Sequence, residues 1–156
     1  MRTFLPEDLS IKNWAQIKTY FEDLNTRAID SVEDLKKWMQ DRSELEAVLE
    51  ENMAWRYIKM NIDTTDPELQ KSFQFFVQTI SPNIAPYEHG LNTKLINSKH
   101  LKDLDSAYYF IYLRAIKNAI HLYREENIPL FTELTNKAQK FGEISAQMMV
   151  QVDGKD

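Results

Sequence analysis

Apolar residues recur along this chain at steps of three and four, the repeat of a helix with one side in a core. Trp14, Ile17, Phe21 and Leu24 form the first such stripe, and Asn13 just ahead of it can cap the free amides of a first turn, so the spacing predicts a helix over 13–25. Ser31 followed by Asp34 has the form of a capping box with Asp in the acidic position, and Leu35, Trp38 and Met39 then point inward. Ser43 followed by Glu46 is a full box, so a new helix, or a clear bend, is expected there. From 43 to 62 two stripes run side by side: Leu45, Leu49, Met53, Tyr57 and Met60, and Val48, Trp55, Ile58 and Ile62. Two apolar faces predict a central helix packed on both sides.

Asp66-Pro67-Glu68 is a strong start signal, with Asp as cap and Pro in the first turn. The stripe that follows, Leu69, Phe73, Phe76, Ile80, Ile84, Tyr87, Leu91 and Leu95, passes Pro82 and Pro86 without a break, which predicts a kinked helix and not a loop. A polar loop over 98–105 comes next. Tyr109, Leu113, Ile116, Ile120 and Tyr123 then mark one face of a fifth segment, with Tyr112, Ala115, Ala119 and Leu122 on the adjacent face, so this helix too is expected to be buried on two sides. Asn127-Ile128-Pro129 opens the last helix, with Leu134, Ala138, Phe141 and Met148 inward. At the end, Val150 and Val152 alternate and Asp153-Gly154 is a two-residue hairpin signal. The pattern reads as the first strand of a truncated β-hairpin in a chain cut from something longer, or as a polar tail that happens to contain Asp-Gly. The expected fold is all-α: one domain over 1–156, an antiparallel bundle of five to seven helices.

Composition narrows the chemistry. The 156 residues are 43% hydrophobic and 28% charged, with only 3 Gly and 5 Pro. That scarcity argues against an all-β chain and leaves no glycine-rich phosphate loop. Cysteine is absent, which removes disulfides, thiolate catalysis and cysteine zinc sites and suits a cytoplasmic location. The opening MRTFLPEDLS has no signal-peptide core, and no run approaches the ~18 apolar residues of a membrane span. The net charge of −5, without a basic face, argues against nucleic acid as a partner.

Candidate sites are few. His89, His100 and His121 belong to no His-Glu-x-x-His pattern, and His121 with Glu125 makes two ligands where zinc takes three or four, so no metal site is expected. Glu51, in line with Val48 and Trp55, is the one carboxylate placed for acid–base work. A catalytic Glu51 would need a wet, concave cavity; the favoured reading is a structural ion pair with Arg114 or Arg124, while Arg56 holds neighbouring helices in register. No catalytic residue and no cofactor site are assigned.

Taken together, "RTFLPEDL", "SVEDLKKWMQDRSELEAVLEENMAWRYIKM", "YFIYLRAIKNAIHLYREENIPLFTEL" and "AQKFGEISAQMMVQVDGK" resemble the N-terminal helical region of oligoendopeptidase F-type zinc metallopeptidases, relatives of thimet oligopeptidase. The resemblance spans essentially the whole chain and lies in scaffold sequence. It implies a largely helical enzyme whose two lobes enclose a channel for short peptides. Zinc would be held by the two histidines of a His-Glu-x-x-His helix and a later glutamate, with the motif glutamate as general base. All of these lie C-terminal to this chain, and His121-Leu122-Tyr123-Arg124-Glu125 departs from the motif at its second position and lacks its second histidine. The resemblance therefore implies a non-catalytic wall or lobe, inactive alone. Its partners would be the rest of the peptidase and, in the parent enzyme, an oligopeptide, with no role for nucleic acid or membrane. Self-association of the isolated chain would follow from uncovered apolar faces. The alternative is a stand-alone helical interaction module.

Overall fold

A computed structural model describes residues 2–146, 148 and 149. Its elements are α1 (Ala15–Thr26), α2 (Val32–Ile62), α3 (Pro67–Phe75), a π turn (Phe76–Ile80), α4 (Ser81–Ile96), a 3-10 turn (Leu101–Asp103), α5 (Phe110–Leu122) and α6 (Asn127–Ala146). There is no strand among the described residues; Val150, Val152 and Asp153-Gly154 of the expected hairpin lie outside them.

The start of α1 is a reciprocal cap. Asn13 Oδ1 accepts from the Gln16 amide at 3.1 Å, while Gln16 Oε1 accepts from the amides of Lys12 at 2.7 Å and Asn13 at 3.1 Å. Ile17, Phe21 and Leu24 then enter the core. Ser31 Oγ caps α2 by accepting from the Asp34 amide at 3.0 Å.

α2 runs unbroken for 31 residues, roughly 46 Å at the helical rise. The break expected at Ser43 does not occur. Ser43 is exposed in mid-helix, and Glu46 turns back to Arg42 Nε at 2.6 Å. The reason is the buried row Leu35, Trp38, Arg42, Leu45 and Leu49, which passes under Ser43 at helical spacing and keeps the helix on its neighbours. The second correction concerns the far half of α2. Val48 is buried, but Trp55, Ile58 and Ile62 are exposed, so this half packs on one side only.

Asp66 Oδ1 accepts from the Glu68 amide at 2.8 Å and starts α3 with Pro67 in the first turn. The helix then continues through both prolines to Ile96. Its irregularity precedes Pro82: the Ser81 amide reaches back five residues to the Phe76 carbonyl, making one wide turn where the proline ring would crowd the preceding turn. Asn83 Nδ2 donates to the Thr79 carbonyl at 2.7 Å in the same stretch. Phe73, Phe76, Ile80, Ile84, Leu91 and Leu95 are all buried.

The core centres on Trp38, wholly buried among Ile17, Phe21, Leu24, Leu35, Ile80 and Leu95. α4 approaches α1 so closely that a Cβ on Gly90 would lie 2.7 Å from Asn25 Oδ1. The N-terminal segment is strapped across α2 by one carboxylate: Glu44 accepts from the amides of Thr3, Phe4 and Leu5 at 2.8, 2.9 and 2.7 Å.

The last two helices depart from expectation. α5 buries one face, through Ile116 with Tyr112, Leu113 and Ile120 beside it, while Ala115, Ala119 and Leu122 are exposed. α6 is inverted. Leu134, Ala138, Phe141 and Met148, expected inward, are all exposed, whereas the partly covered row is Ile128, Thr132, Asn136, Gln139 and Glu143. That mostly polar row faces the bundle: Asn136 Oδ1 accepts from Gln78 Nε2 of the π turn at 3.4 Å, and Gln139 Nε2 lies 3.1 Å from Met60 Sδ of α2, so the apolar stripe of α6 faces outward.

Candidate functional site

The most chemically loaded region lies between α2, α4 and α5. Arg42 sits on the buried row of α2 with its side chain 4% exposed. Its Nε donates to Glu46 at 2.6 Å and its Nη2 to Asn92 Oδ1 on α4, also at 2.6 Å. Its guanidinium carbon lies 5.9 Å from the centre of the Trp38 ring. Nη1 is shielded from solvent and has no acceptor among the described residues. A buried donor left this way is costly.

Arg42, Glu46 and Asn92 line a groove of about 720 Å³, whose walls include Leu49, Met53, Phe76, Ile84 and Ile116. Glu50, Glu88 and Tyr112 also line it. Burial, reinforced by the charge of Glu46, pushes the Glu88 carboxyl above the usual carboxylate range, and Arg42 only partly offsets it. Burial likewise pushes the Tyr112 phenol up.

The expected site residues lie elsewhere. Glu51 is 55% exposed and pairs with Arg2 at 3.2 Å, not with Arg114 or Arg124. It does line a concave surface, a polar groove of about 470 Å³ shared with Arg2, Asp8 and Arg56, but no histidine or cysteine lines that groove. Arg56 is committed to three acceptors: Ser72 Oγ at 2.7 Å, the Ser72 carbonyl at 3.0 Å and the Ile11 carbonyl at 2.8 Å. It thus ties α2 to α3 and to the N-terminal segment through carbonyl and hydroxyl oxygens, and burial lowers its pKa. Arg114 lies over the Phe110 ring at 5.7 Å, and Arg124 donates to the carbonyls of His121 and Tyr123 at 3.0 and 2.6 Å.

Zinc does not fit the described residues, since no three His, Cys, Asp or Glu side chains converge among them. His89 stacks on Tyr123 with ring centres 4.1 Å apart, and His100 Nδ1 faces Asp103 at 3.3 Å. No described helix is long and apolar enough to cross a membrane.

Arg42 and Asn92 were missed in the sequence although a signal was there. Arg42 falls on the apolar row between Trp38 and Leu45, and Asn92 adjoins Leu91 on a buried helix. A charged residue in register with a core stripe must find a partner inside.

No curated protein and no solved structure matches the chain. The family model described as Peptidase M3 N-terminal domain matches residues 4–123, which carries the chain through α1 to α5 and stops short of α6. The chain belongs to the Peptidase M3 N-terminal domain family.

Proposed function

We propose that this chain is the non-catalytic N-terminal part of an oligoendopeptidase F-like zinc metallopeptidase acting on short peptides in the cytoplasm, and that it forms part of the wall of the substrate channel. The zinc ligands and the general base then belong to residues C-terminal to this chain. The observation that carries the reading is the inverted α6: its polar row meets the bundle while Phe131, Leu134, Phe141 and Ile144 face outward. An exposed stripe of that size calls for a covering partner. Membership of a peptidase family makes the rest of the peptidase the natural cover.

The decisive experiment reads the message downstream of the Asp156 codon. An open frame running to a His-Glu-x-x-His helix supports the proposal. A stop codon there overturns it and favours the alternative, a stand-alone helical interaction module. A second check is enzymatic: the 156-residue chain given zinc should cleave no quenched fluorescent peptide. Saturable, chelator-sensitive turnover would place the catalytic groups here and contradict the proposal.

A further inference from the structure

We propose that the pocket between α2, α3 and α6 receives one apolar side chain, leucine to phenylalanine in size, from the part of the peptidase that covers the outer stripe of α6. The inference rests on the covering role proposed above and names where, and through what group, the cover is anchored.

The pocket has a volume of about 220 Å³. An apolar cavity of about 150 Å³ already accepts a benzene ring, so this one has room for a single aromatic or branched aliphatic group. Met60 and Phe73, both buried, line it together with the more exposed Tyr57, Ala138 and Gly142. Its polar neighbours are committed within the chain. Asn61 Nδ2 donates to the Tyr57 carbonyl at 2.8 Å, Gln70 Nε2 to the Thr64 carbonyl at 2.7 Å, Thr135 Oγ1 to the Phe131 carbonyl at 2.9 Å and Gln139 Nε2 to Glu143 at 2.8 Å. What the pocket offers a ligand is therefore apolar surface. Leu134 and Phe141, one turn to either side of Ala138 on α6, stand exposed beside it.

Gly142 points to the same occupant independently. Apart from proline, glycine is the least favourable residue inside a helix, so its presence there calls for a packing reason. Of the two glycines that the structure describes, Gly90 has one within the chain, since a Cβ there would lie 2.7 Å from Asn25 Oδ1. Gly142 has none within the chain: a Cβ there would meet nothing within 4 Å. The space over it is open to a group approaching from outside.

The area to be covered selects the source of that group. The chain exposes 10468 Å², where a compact chain of 18.4 kDa would expose about 8,200 Å². The surplus exceeds the ~800 Å² that each partner contributes to an ordinary complex and falls in the larger class of permanent interfaces. The remainder of the peptidase fits that class better than a loosely held second copy.

The test titrates the 156-residue chain with N-acetyl-phenylalaninamide, N-acetyl-leucinamide and N-acetyl-glutaminamide and follows the backbone amide resonances. The chain carries Leu134→Gln and Phe141→Gln, so that its own stripe cannot supply the anchor from a second copy. The two apolar amides should shift the resonances of Met60, Phe73 and Ala138 saturably, with the glutamine amide at least about tenfold weaker. Gly142→Leu, whose side chain grows into the open space, should abolish these shifts. Its melting temperature should equal or exceed that of the parent, because leucine is the better helix former.

No saturable shift at these residues, equal shifts from the glutamine amide, or shifts that persist in Gly142→Leu each overturn the anchor pocket. So does a wild-type chain whose pocket resonances move on dilution while N-acetyl-phenylalaninamide leaves them unmoved, which assigns the pocket to a second copy. None of these outcomes decides the covering role itself, which the message downstream of Asp156 settles separately.

Discussion

Trp38 and Lys94 meet on a single atom, the carbonyl oxygen of Leu24: the indole Nε1 lies 2.8 Å from it and the lysine Nζ 2.6 Å. Lys94 Nζ also donates to the carbonyls of Asn25 at 3.0 Å and Arg27 at 2.6 Å. These oxygens sit at and just past the end of α1, where helical carbonyls lose their partners and a cation is favoured. One side chain from α4 thus closes α1, beside the close approach at Gly90.

Lys94→Met keeps the stem and removes the donors. It should destabilise the fold by about 1–3 kcal/mol, the range for leaving partly buried acceptors unsatisfied. Urea denaturation reads this directly. A change within ~0.5 kcal/mol, typical of an uninvolved surface site, would mean that water serves these carbonyls equally well.

Glu44 predicts acid sensitivity of the N-terminal strap. Burial acts to raise its pKa, but the amides of Thr3, Leu5 and Phe4 outweigh it and hold the carboxyl below the ordinary glutamate value of 4.5. A carboxylate depressed in the folded state contributes stability that is present above its unfolded pKa. That stability is lost as pH falls through the folded value. Melting temperature should therefore drop below about pH 4.5 in the wild type and drop less steeply in Glu44→Gln. Parallel curves would remove Glu44 from the acid response.

Glu88 predicts the opposite sign. Burial first, then Glu46, raises its carboxyl above 4.5. A raised folded pKa gives stability that is present below the unfolded value and lost as pH rises through the folded one. Glu88→Gln should therefore raise the melting temperature at pH 7 and leave it nearly unchanged at pH 4. A lower melting temperature at pH 7 would reveal a partner for the ionised carboxylate.

Ser43 separates two readings of the same tetrapeptide. As the cap of a new helix, its loss would cost about 1 kcal/mol. As an exposed residue inside a continuous helix, Ser43→Ala should stabilise by up to ~0.5 kcal/mol, because alanine is the better helix former. The structure places it inside α2, so the stabilising sign is expected. Chemical denaturation of this one variant gives the answer.

That case shows how far the sequence carried. Caps at Asn13, Ser31 and Asp66 were legible because a cap is a local competition for a few amides within one turn. The Ser43 box was overridden because a buried row beneath it, decided by α1 and α4, held the helix together. The run through Pro82 and Pro86 was legible from its unbroken stripe, but the π turn that relieves it was not, since nothing in spacing alone shows which turn will widen. Partnerships between distant charges were least legible of all. Glu51 with Arg2 and Arg42 with Asn92 join positions far apart in the chain, and helical periodicity gives a residue's face without naming what lies opposite.

α6 supplies the last prediction. Its apolar stripe was read correctly as a stripe and wrongly as core, because amphipathicity says that a face will be covered without saying by what. In the isolated chain Phe131, Leu134 and Phe141 are each about two-thirds exposed or more, at 63%, 63% and 73%, and Leu130 and Ile144 extend the same patch. Contiguous apolar surface of this kind drives association when its partner is missing. Sedimentation velocity should find the purified chain in a concentration-dependent equilibrium with larger species, and Leu134→Gln with Phe141→Gln should shift it to monomer with little loss of stability, since neither side chain is buried. If the wild-type chain remains monomeric at high concentration, the stripe is too dispersed to hold a partner by burial alone.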